Sequence, residues 1–73
     1  MLVFSKEMMI SRLRKEGRQD EVDSDSIAIM NKLDGREVLP NLWRRVVYGE
    51  YDAYYCEVDG KQYPVNYNDC GVV

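Results

Sequence analysis

The sequence predicts an α+β fold: an N-terminal helical pair packed on a three-stranded antiparallel β-meander, in one small domain spanning residues 1–73. Three observations carry that prediction. Two segments of the first half open on a capping residue, repeat apolar side chains at helical spacing and close on glycine. Beyond Pro40 the apolar period drops to two. Gly49 and Gly60 then cut the second half into pieces of strand length.

The first helix starts after Ser5, which is placed to cap it. Phe4, just outside the cap, can pack against Met9 one turn in and fix the angle at which the chain enters the helix. Glu7 near the start and Arg14 and Lys15 near the end suit the helix dipole. Met9, Ile10 and Leu13 share one stripe, and Gly17 supplies the left-handed residue that ends it. "VDSDSIAIMNKLDG" repeats that grammar. Asp23 caps, Val22 and Ile27 bracket the cap, Ile27, Met30 and Leu33 recur on one face, and Gly35 closes. A hairpin is the alternative for residues 27–35, because Ile27 and Ile29 also alternate and Asp34-Gly35 can form a turn.

"REVLPN" reads as a linker, since Pro40 bars a regular helix or a central strand. Asp59-Gly60 is a strong hairpin signal, because a type I′ turn needs positive φ at both central residues. Tyr48-Gly49-Glu50-Tyr51 offers a second two-residue turn. Together they predict strands over residues 43–48, 51–58 and 61–67. In that register Cys56 faces Tyr63, Tyr54 faces Val65, Trp43 faces Cys56 and Val47 faces Asp52. The helices would then cover Trp43, Val47, Tyr54, Cys56, Val58, Tyr63 and Val65, with Arg45 and Asp52 awkwardly on the same face. A short helix capped by Asn41 is the alternative for residues 42–48, because Leu42, Trp43, Val46 and Val47 also fit helical spacing.

Composition narrows the function. The 73 residues are 45% hydrophobic and 32% charged, which is globular, and their net charge of −3 argues against a general nucleic-acid binder. No apolar run approaches the roughly 20 residues of a membrane span. The start "MLVFSKEMMI" lacks the basic region and cleavage site of a secretory signal, so a cytoplasmic protein is expected. Cys56 and Cys70 are then expected as free thiols; an oxidising compartment would instead favour a bridge between them.

Little chemistry is on offer. Histidine is absent, which removes Cys-His and Ser-His nucleophilic pairs and the commonest metal ligand. Two cysteines fourteen residues apart do not make a zinc site. Asp23 and Asp25 do not continue into a calcium loop, and no phosphate-cradling glycine motif occurs. No catalytic residue, cofactor or metal is therefore expected, nor any enzymatic activity.

Five of the six tyrosines lie between residues 51 and 67. Tyr54 and Tyr63 fall on the covered face as core bulk. Arg44, Val46, Tyr48, Tyr51 and Tyr55 fall on the other face, which no remaining segment is long enough to cover. That face is the candidate partner-binding surface, because tyrosine buries much area while losing little side-chain entropy. Its partner would be another protein or a second copy of the chain. Cross-strand tyrosines also stabilise a sheet that merely faces water, so both readings stay open. The alternative function is nucleic-acid binding through Arg12, Arg14 and Arg18, or through Arg44 and Arg45 beside Trp43.

The stretches "SKEMMISRLRKEGRQDEV", "MNKLDGRE" and "EVDGKQYPVNYNDC", with a tryptophan between the last two, resemble a type of small protein encoded by bacterial phages and conjugative elements. That resemblance implies an accessory role exerted by binding and assigns no activity to any residue.

Overall fold

The computed structural model describes residues 1–48 and 53–73, with the side chain of Tyr48 excepted. In chain order it contains β1 (Leu2–Phe4), α1 (Lys6–Lys15), α2 (Ser24–Leu33), β2 (Leu39–Pro40), α3 (Leu42–Tyr48), β3 (Tyr54–Val58), β4 (Lys61–Val65) and β5 (Cys70–Val72). Short 3₁₀ turns lie at Gln19–Glu21 and Tyr67–Asp69. The fold class is α+β, with helices in the first half and a three-stranded antiparallel sheet ordered β2-β3-β4.

Local signals set both N-terminal helices. The Ser5 hydroxyl accepts from the Met8 amide at 3.3 Å, and Asp23 Oδ1 accepts from the Ser26 amide at 2.8 Å, so each helix starts with one orphan amide satisfied. At the end of α1 the Arg18 amide donates to the Leu13 carbonyl (2.8 Å) and the Gly17 amide to the Arg14 carbonyl (3.1 Å). Gly17 sits at φ 71°, the left-handed conformation this paired C-cap requires. Residues 24–33 are helix, not hairpin: the Asp23 cap and buried Met30 and Leu33 at helical spacing outweigh the Ile27/Ile29 alternation. Phe4 and Leu13 are buried, while Met9, Ile10 and Val22 pack partly buried against them.

The β3–β4 hairpin turns at Asp59 (φ 53°) and Gly60 (φ 77°), both left-handed as a type I′ turn demands. Its register pairs Val58 with Lys61, Cys56 with Tyr63 and Tyr54 with Val65, as the alternation predicts. The covered face follows: Cys56 and Val58 are buried, and Tyr54, Tyr63 and Val65 pack against the core.

The first strand of this sheet is not where the sequence places it. Residues 43–48 belong to α3, and β2 comes from Leu39–Pro40 within the segment read as a linker. Asn41 decides the outcome. Its Oδ1 accepts from the Arg44 amide (3.0 Å) and its carbonyl from the Arg45 amide (3.1 Å), so a cap and a first turn close before a strand can start. Pro40, which has no N–H, occupies an edge strand, where a missing donor is tolerated. The predicted pairing of Trp43 with Cys56 is lost, and the proposed turn at Gly49-Glu50 and the Val47–Asp52 pair involve residues outside those described. The third strand stops at Val65 because Asn66 accepts from the Asn68 amide and opens the Tyr67–Asp69 turn.

A second ribbon was not foreseen. β1 pairs antiparallel with β5, Phe4 opposite Cys70. On its other side β1 meets the stretch after α2: Gly35 N–H donates to Phe4 O (2.9 Å), Phe4 N–H to Arg36 O (3.0 Å) and Val38 N–H to Leu2 O (2.8 Å). The same stretch then pairs with β3, Leu39 opposite Tyr55. One extended segment therefore fastens both sheets together. The core sits between them and the helices: Phe4, Leu13, Met30, Leu33, Val38, Cys56, Val58 and Cys70.

One ion pair is built into this core. Asp69 is 1% exposed, and the Arg12 guanidinium grips it with two bonds, Nε to Oδ1 at 2.7 Å and Nη2 to Oδ2 at 3.1 Å. Arg12 Nη1 also reaches Glu16 Oε2 at 3.0 Å. The bond to Asp69 holds the guanidinium more firmly protonated than a free one.

Candidate contact surface

α3 carries its apolar residues as two parallel rows, Leu42–Val46 and Trp43–Val47, each one turn apart. In an ordinary surface helix such rows would face the core. Here they do not. Leu42 is 63% exposed, Trp43 66%, Val46 83% and Val47 53%. Beside the helix, Asn41, Trp43, Arg44, Tyr55, Gln62 and Pro64 line a shallow cleft of about 250 Å³ between α3 and the outer face of the β2-β3-β4 sheet.

The sequence-derived site residues divide accordingly. Arg44 and Val46 lie on a helix, not on a strand. Tyr55 does lie on the outer sheet face, opposite Leu39 and Pro64. The structure brings Arg44 and Tyr55 to one cleft and leaves Val46 outward on the adjoining row. The Tyr48 side chain and Tyr51 lie outside the described residues. Leu42, Trp43 and Val47 were missed. The strand register places Trp43 and Val47 on the covered face, and the helical spacing after Asn41 is the signal that groups them with Leu42 and Val46 instead.

Two of the three N-terminal arginines are engaged in ion pairs. Arg12 is held by Asp69 and Glu16, and Arg18 pairs with Glu21 and, at 2.9 Å, with Glu16. Bonding to Arg18 lowers the Glu21 pKa, and bonding to Glu21 raises that of Arg18. Arg12 and Arg18 are thus each paired with acidic side chains, while Arg12, Arg14 and Lys15 line one open groove on α1 together with Glu7 and Glu16.

Chemistry elsewhere is muted. Among the described residues no three His, Cys, Asp or Glu side chains converge as metal ligands, and no helix is long and apolar enough to cross a membrane. Cys56 and Cys70 are free and buried. Burial pushes the Cys56 thiol up, and burial, with Cys56 and Asp69 nearby, pushes Cys70 up to about 11. At pH 8 the Cys70 thiolate is therefore scarcer than in the unfolded chain by about 100-fold, and alkylation of the native protein should be slower by at least that factor than in denaturant. The sign follows from linkage. A folded pKa above the unfolded one gives stability that is complete below about pH 9 and drains away as pH rises through about 11. Urea midpoints measured from pH 7 to 11 should fall over that window, and less so in Cys70→Ser.

No family model, curated protein or solved structure matches this chain.

Proposed function

We propose that this chain is a non-enzymatic protein-interaction module whose contact face is α3 with the adjoining outer sheet face at Tyr55. The observation that supports it is the exposure of Leu42, Trp43, Val46 and Val47 together on one short helix. A contiguous apolar patch is uncommon on a protein that works alone, and a tryptophan flanked by aliphatic side chains is the usual composition of a contact centre. Arg44, Val46 and Tyr55 stay within this surface, now joined by Leu42, Trp43 and Val47. Free, buried thiols suit a cytoplasmic setting. With the resemblance to small phage and mobile-element proteins, the module would serve as an accessory that acts by binding.

A photo-crosslinking amino acid in place of Val46 tests this reading. In the cells that express the protein it should yield a discrete crosslinked species, and Trp43→Ala should abolish it. A crosslinker at Ile29, on α2, should give none. Equal yields from both positions, or none from position 46, would reject α3 as the contact face.

A further inference from the structure

We infer that the occupant of the α3 face is a second copy of this chain, related by a two-fold axis so that α3 packs on α3. This rests on the contact-face reading above and names its partner.

Three features lead there. The first is area. Leu42, Trp43, Val46 and Val47 together present on the order of 500 Å². Covered in both copies, that makes up to about 1,000 Å² in total, the least that a specific interface needs.

The second is shape. Rows spaced by four residues form ridges that interdigitate with the same ridges of another helix, crossing at about −50°. A helix of seven residues is about 10 Å long, enough for one such crossing. Leu42–Val46 and Trp43–Val47 are two such ridges with a groove between them, so the surface is complementary to itself. That is the requirement of an isologous contact.

The third is that the sheet offers no easy alternative. β4 is an edge of the β2-β3-β4 sheet. The two-residue turn makes Val58–Lys61 a hydrogen-bonded pair, so Tyr55–Pro64 is a non-bonded one and the backbone of residue 64 points outward. Proline there has no N–H to give, which blunts the edge against strand addition. Dimerisation through the β4 edge, which adjoins α3 across Pro64 and Gln62, is disfavoured, and dimerisation through the exposed helix is not.

Sedimentation equilibrium of the full chain, read alongside Trp43 fluorescence, tests the inference. Trp43 is the only tryptophan, so its emission reports this surface alone. The mass should rise toward twice that of one chain with a dissociation constant on the order of micromolar, and the emission should shift from that of a solvated indole to the blue over the same concentrations. Val46→Asp should weaken association at least 100-fold and leave circular dichroism unchanged. Val72→Asp adds the same charge at an exposed residue remote in sequence, in β5, and should leave the mass curve where it was. A wild-type chain that stays monomeric to about 0.1 mM (about 100-fold above that range) overturns the two-fold dimer. The Val46 crosslinking result then still decides whether α3 contacts another protein. A dimer that survives Val46→Asp, or that is lost equally in Val72→Asp, overturns the placement on α3.

Discussion

Arg12→Ala is expected to leave most of the protein unfolded at 25 °C. Asp69 is 1% exposed, and Arg12 supplies the two bonds its carboxylate receives. Removing the cation strands a buried charge, which costs about 3–5 kcal/mol, and a single core of this size rarely supplies more than about 3–5 kcal/mol in total. The effect is asymmetric. Arg12 keeps a fifth of its side chain in water and retains Glu16, so Asp69→Asn, which removes the buried charge itself, should cost less than Arg12→Ala. The double variant Arg12→Met with Asp69→Leu should recover much of the loss, because an apolar pair of similar volume carries no desolvation penalty. Urea denaturation of the three variants checks the order. An Arg12→Ala cost below about 1 kcal/mol would show that water already reaches Asp69.

Phe4→Ala and Trp43→Ala should differ in the opposite sense to what ring size suggests. Phe4 is 2% exposed, packs at the centre of the core, and lies on the strand held between β5 and the Gly35–Val38 stretch. Its truncation should cost about 3–5 kcal/mol, the usual loss for a buried aromatic. Trp43, the larger ring, is 66% exposed, and its truncation should cost under about 1 kcal/mol in the monomer. Thermal denaturation at a concentration low enough to keep the chain monomeric separates the two. Comparable losses would mean that Trp43 is covered within its own chain, and the contact surface on α3 would go with it.

The contrast between these two residues also shows what was legible in the sequence. The caps and the apolar stripe of α1 were legible because Ser5, Met9, Leu13 and Gly17 act within a few turns, whereas the place of Phe4 on β1 depends on Cys70 and Arg36, far along the chain. The Asp59-Gly60 hairpin was legible for the same reason, since its geometry depends on two adjacent residues with positive φ. Trp43 was misassigned because Leu42, Trp43, Val46 and Val47 satisfy a two-residue and a four-residue period at once, and the deciding interaction is the single Asn41 cap. Helical spacing alone would have grouped the ring with Leu42, Val46 and Val47 without showing its exposure, because periodicity reveals which side chains share a face and not whether anything covers it. Asp69 was illegible altogether. Its partner lies 57 residues away, and nothing nearby marks an aspartate as internal. Strands β1 and β5, three residues each, are too short for alternation to register.

The pairing of Phe4 with Cys70 has a bearing on how such a chain is made. Synthesis delivers residues in order, at about 5–20 per second, so Phe4, Leu13, Met30 and Leu33 leave the ribosome seconds before the segment that shields them. During that interval the nascent helical half has an oily flank and no lid. Closing the loop from Phe4 to Cys70 carries a larger entropic cost than closing the local β3–β4 hairpin, which places the β1–β5 pairing after the hairpin in the order of assembly.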